Sequence, residues 1–145
     1  GIGGFRYNGR IEDQEYSPMH IHLDNLVSED NHYAGFYLGG DALYDVGTLT
    51  ARRNNKSNET RGNIQIVEQA GVTADALYSA DATYGCGLHY YSDRSSTIGL
   101  YRHDGNPNGG ICGNQSNMRA RRRESGSLPE APVSERGSLG ADFST

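Results

Sequence analysis

Ala76-Leu77-Tyr78, Gly87-Leu88-His89-Tyr90 and Gly99-Leu100-Tyr101 follow one another with starts 11 and 12 residues apart. Gly35-Phe36-Tyr37-Leu38 and Ala42-Leu43-Tyr44 have the same make-up, and Thr48-Leu49-Thr50 and Ile64-Gln65-Ile66-Val67 add two more runs that favour extended backbone. A polar loop, residues 54–63, lies between those two. Short strand-favouring segments separated by turn residues every 8 to 12 positions predict an all-β chain, built as a sandwich, a barrel or a β-solenoid-like fibre module. We read the recurrence as strand composition, since Leu and Tyr are good strand residues, and not as a sequence repeat.

Outward from this centre, Met19-His20-Ile21-His22-Leu23-Asp24 alternates without a break. A strand there puts Met19, Ile21 and Leu23 on one face and His20, His22 and Asp24 on the other. Asn8-Gly9, flanked by Phe5, Tyr7 and Ile11, predicts a type I′ hairpin. The one helix candidate is residues 71–82, which hold four Ala behind a Thr73 cap. Two domains of unequal order are expected: a β-rich domain over 1–115, and an Arg-rich then Gly/Ser/Pro-rich tail over 116–145. That tail, extended or disordered, could also order against a neighbouring subunit. It carries Glu-x-Gly-Ser-Leu twice, at Glu124 and Glu135, and spaces Leu128, Val133, Leu139 and Phe143 along its length.

Composition limits what such a chain can do alone. Leu, Ile, Val and Phe account for 25 of 145 residues, against 20 Gly and 10 Tyr. An aliphatic share this low is a mark of disorder when net charge is high, but the net charge here is only −5. Tyr buries an apolar ring and keeps a hydrogen-bonding hydroxyl, which offsets part of the deficit. Burial between subunits would offset more, so a homo-oligomer is expected. The acidic balance disfavours general nucleic-acid affinity, except through Arg119 to Arg123, which could engage RNA or an acidic partner. No apolar run reaches the roughly 20 residues that span a bilayer, and no signal-peptide pattern opens the chain.

Four features could carry chemistry. Asp104-Gly105-Asn106-Pro107-Asn108-Gly109-Gly110-Ile111 resembles the first two-thirds of the calcium loop of the EF-hand family. The resemblance implies side-chain oxygens from Asp104, Asn106 and Asn108, a carbonyl from Gly110 and a bend at Gly109. The twelfth position is Gln115 in place of the bidentate Glu, and a strand precedes the loop, so weak calcium binding is the expectation. His20 and His22, alternate residues on one strand face, suit a transition metal if His32, His89 or His103 supplies a third ligand.

Tyr90, Tyr91, Asp93 and Arg94, with Tyr101 and Arg102, set aromatic rings beside hydrogen-bonding charges, a mixture suited to sugars or protein surfaces. Cys86 and Cys112 could pair or stay as buried thiols. Nucleophile-elbow, phosphate-loop and dinucleotide motifs are absent from the sequence, and three N-glycosylation triplets, at Asn55, Asn58 and Asn114, are near chance frequency.

These features favour a non-enzymatic structural or receptor- or carbohydrate-binding module of an extracellular or virion assembly, of fibre, spike or coat type. The alternative is a small metal-assisted hydrolase using His20 and His22.

Overall fold

A computed structural model describes residues 5–7, 18–58 and 60–130. The strands are β1 (Phe5–Tyr7), β2 (Met19–Glu29), β3 (Phe36–Leu38), β4 (Asp41–Arg52), β5 (Gly62–Ala80), β6 (Cys86–Ser92), β7 (Ser96–Asp104), β8 (Ile111–Gly113) and β9 (Met118–Ser125). Every pairing is parallel. The chain winds as a parallel β-solenoid of about four turns. Its first wall, sheet A, stacks β1, β3, the start of β5, β6 and β8; its second, sheet B, stacks β2, β4, the rest of β5, β7 and β9.

Winding explains how so few aliphatic residues suffice. Each inward position stacks on its equivalents in the neighbouring turns, so the interior is a bundle of narrow columns. One runs Leu23, Val46, Ala74, Ile98, Ala120; another Leu26, Leu49, Leu77, Tyr101; a third, on sheet A, Phe36, Ile64, Leu88, Ile111. Backbone ladders bond each turn to the next, and side chains fill only the thin centre. Tyr44, Tyr90 and Tyr101 supply bulk where aliphatics are lacking, and each hydroxyl ends on a partner: Gly39 O at 2.9 Å, Arg94 O at 2.6 Å and Gly110 O at 2.6 Å. Among the described residues no buried side-chain nitrogen or oxygen lacks a hydrogen bond.

Sheet B is bent at one level of every turn. The register lapses at Asp24, Gly47, Asp75, Gly99 and Arg121, and buried core residues flank the lapse three residues apart in Val46 and Leu49 and in Ile98 and Tyr101. Gly99 is required there, since a Cβ would sit 2.5 Å from the Asp75 carbonyl oxygen.

The corner at the far end of sheet B carries a second stacked device. Asp30, Arg53, Asp81 and Gly105 all adopt positive φ, from 54° to 66°. The next positions are Asn31, Asn54, Ala82 and Asn106. Asn54 sits at the centre: its Oδ1 accepts from Asn31 N and Nδ2, and its Nδ2 donates to Ser28 O and Asn63 Oδ1. Asn63 extends the network by donating to Ala51 O, Ser79 Oγ and Ala80 O. Asn106 closes the series, accepting from Ala82 N and donating to Ser79 O.

Two expectations are corrected and one open alternative is resolved. Residues 71–80 are strand, not helix: Val72 and Ala74 point inward while Thr73 and Asp75 are exposed, and pairing with both β4 and β7 overrides the helix preference of Ala. The Arg-rich segment is no tail, because Met118 and Ala120 pack inward and β9 adds a rung below β7. The 126–130 stretch then crosses the outer face, where Arg102 Nε donates to Ser127 O at 2.6 Å and Arg52 Nη2 to Pro129 O at 2.5 Å. Cys86 and Cys112 are disulfide-bonded, with Cα atoms 6.1 Å apart, tying the last turn to the one above it. The Asn8-Gly9 hairpin and residues 131–145 lie outside the described residues.

Candidate functional site

A cleft of about 550 Å³ opens on the outside of sheet A between Arg61, Val67, Glu68, His89, Tyr91 and Asp93. Strand alternation builds it. Tyr90 turns into the core, so Tyr91 must turn out, and it is 64% exposed. Two positions earlier, His89 also faces out and stacks on Tyr91, with centroids 6.4 Å apart and planes 19° from parallel. Val67 pairs with Tyr91 one turn above and floors the cleft. Glu68 takes a positive φ of 62°, and its Oε1 accepts from Gly40 N at 2.6 Å, which fixes that carboxylate on the rim.

The protonation of His89 follows from its neighbours. Gln65 Oε1 accepts the Arg61 backbone N–H at 3.2 Å, so the amide orientation is set. His89 Nδ1 lies 3.0 Å from that same oxygen and must donate to it. Nε2 is then the acceptor of a neutral ring. Burial, helped by the Arg61 charge, lowers the His89 pKa from 6.5, so the ring stays neutral at physiological pH. The cleft thus offers an aromatic platform, an imidazole acceptor, two carboxylates and one guanidinium. Apolar C–H faces can stack there while hydroxyls bond around the rim.

The other ligand-contact residues are placed differently. Tyr90 and Tyr101 are fully buried columns of the core, so neither can touch a ligand; burial raises both phenol pKa values. Arg94 is a staple across three turns, paired with Asp41 and donating to Gln69 O at 2.7 Å. Arg102 holds Glu124 at 2.7 Å as well as Ser127 O. Tyr91 and Asp93 are the members of that set which line the cleft.

Family models, characterised proteins and solved structures were all compared with this chain, and none matches.

His20 and His22 do share the outer face of β2 and line a second groove, of about 460 Å³, with Leu43, Asp45, Gly71, Thr73 and Ser95. His22 Nε2 lies 2.8 Å from Asp24 Oδ1 and Nδ1 3.4 Å from Asp45 Oδ2. No other His joins them. His89 is on sheet A, His103 stacks on Tyr101 in the fourth turn, and His32 meets Tyr33 edge-on at 5.1 Å. Among the described residues no group of three or more His, Cys, Asp or Glu is set to hold a metal.

The hydrogen bond to Asp24 and its charge raise the His22 pKa above 6.5. A raised value means His22 favours folding fully below pH 6.5 and loses that contribution as pH rises through the folded pKa. Proton NMR titration should find His22 above 6.5, and Asp24→Asn should bring it back towards that value.

The segment resembling a calcium loop is the corner between β7 and β8. Asn106 spends its amide on Ala82 N and Ser79 O, and Gly110 O accepts from Leu88 N at 2.9 Å and Tyr101 Oη at 2.6 Å. Asp104 and Asn108 are exposed beside them. Sequence reasoning missed Arg61, Gln65, Val67 and Glu68. Only the pairing of β5 with β6, 24 residues on, brings them beside His89 and Tyr91.

Proposed function

We propose that this chain is a non-enzymatic structural and carbohydrate-binding module of an extracellular or virion assembly, of fibre or spike type, acting as a homo-oligomer. The observation that carries the binding reading is the outward Tyr91 ring beside Asp93 and the neutral His89, on a rigid parallel sheet. Rigid walls hold such a platform without ordering cost on binding. The disulfide supports an oxidising location, where such bonds persist. A glycan or glycosylated cell-surface receptor fits the cleft by the same chemistry.

Tyr91→Ala should weaken binding of a selected oligosaccharide by about tenfold, equivalent to about 1.4 kcal/mol, with the thermal melt unchanged. Isothermal titration of wild type and variant checks it. An affinity that survives loss of the ring would remove the cleft from the account.

A further inference from the structure

We propose that copies of this chain stack head to tail, the β9 edge of one continuing its ladders into the β2 edge of the next. This rests on the homo-oligomer reading above and goes further by naming the contact. Within the described residues, β9 and β8 at one end pair only with β7 and β6, and β2 and β1 at the other only with β4 and β3. Among the described residues, each of the four leaves one parallel ladder unused.

The two ends carry opposite charge. Strand β2 contains Asp24, beside His22, and Glu29, paired with Arg53, and has no Lys or Arg of its own, whereas β9 contains Arg119, Arg121, Arg122 and Arg123 against Glu124. Arg122 is paired with Glu124, but Arg119 and Arg121 have no ion pair among the described residues. Two β9 edges would repel each other, and so would two β2 edges. Only the head-to-tail arrangement joins unlike charges.

Register carries the argument to single residues. Ala120 ends the column of Leu23, Val46, Ala74 and Ile98; Arg121 ends the bend level of Asp24, Gly47, Asp75 and Gly99; Ile111 ends the register level that begins at Phe5. One further step of about 4.8 Å seats Leu23 of the next copy under Ala120 and its Asp24 beside Arg121. It also sets Phe5 at the register position below Ile111. Arg123, which ends the Leu26 column, sends its guanidinium sideways to Gln115 Oε1 at 3.4 Å, leaving its methylene stem to meet Leu26 of the next copy. A head-to-tail contact that simply continues the winding along one axis does not close into a ring, so it builds a fibre.

The test is sedimentation velocity on the 145-residue chain, its Arg121→Glu variant and its Asp24→Arg variant, alone and mixed. Wild type should lengthen with concentration and shorten in high salt, and each variant alone should associate about tenfold more weakly. Mixing the variants should restore association. The arginine introduced at position 24 of one then meets the glutamate introduced at position 121 of the other, and the unaltered Asp24 and Arg121 still match. Restoration also shows that both variants fold. Association undiminished in either variant overturns the contact and leaves a lateral oligomer. A mixture that stays dissociated overturns it too. A wild type that is monomeric throughout removes the contact and the oligomer together. Retention of that monomer on an RNA column would assign the arginine edge to a polyanion.

Discussion

Asn54→Ala should lower the unfolding free energy by roughly 4 kcal/mol, the sum of several buried polar groups left unpaired at about 1–3 kcal/mol each before any relaxation. Asn54 is fully buried and makes four side-chain bonds of 2.8 to 3.0 Å: two accepted from Asn31, one donated to Ser28 O and one to Asn63 Oδ1. Removing it strands groups on three residues, Ser28, Asn31 and Asn63. Asn114 is the control, being an exposed residue whose Oδ1 bonds only within its own turn, to Ser116. Urea denaturation of Asn54→Ala and Asn114→Ala should differ by most of the quoted amount, with Asn114→Ala within about 0.5 kcal/mol of wild type.

Loss of the Cys86–Cys112 disulfide should cost about 3.5 kcal/mol, the chain-entropy value for a loop of this size. The effect should also be local. Of the two strands in the last turn, β8 is only three residues long, and the bond fastens it directly beneath β6. Amide exchange in the reduced protein should therefore quicken first in β8 and β9, while β4 and the middle of β5 keep their protection. A uniform rise in exchange along the chain would show that the turns unfold as one unit and that the bond has no special place.

Strand composition made the class of fold legible, and strict alternation at Met19–Asp24 was enough to place His20 and His22 outward. The winding itself was hidden by unequal turns. Successive partners in sheet B are 23, 28, 24 and 22 residues apart, as Met19 with Ala42, Asp41 with Gln69, Thr73 with Thr97 and Ser96 with Met118. A repeat of variable length, with Ala82 where the corner has Asn31, Asn54 and Asn106, leaves no fixed period to detect.

Ala74 and Ala76 suggested helix because their small size suits a helix interior and a narrow solenoid equally well. Arg119 to Arg123 concealed a strand, since the outward arginines outnumber the inward Met118 and Ala120. In the candidate site, Tyr91 and Asp93 were legible as an aromatic beside an acid. Tyr90 and Tyr101 looked the same in sequence, and only burial separates a tyrosine that fills a column from one that faces solvent.

The scarcity of aliphatic residues thus has a cause within one chain: stacked columns need few side chains per turn, and asparagines and tyrosines with satisfied polar groups complete them. The lateral faces are left to carry function. Titrating the isotope-labelled protein with a panel of oligosaccharides, and mapping amide shifts, tests this most directly. Shifts should gather at Arg61, Val67, Glu68, His89, Tyr91 and Asp93. Shifts centred instead on the His20 and His22 groove, or none with any sugar, would contradict it.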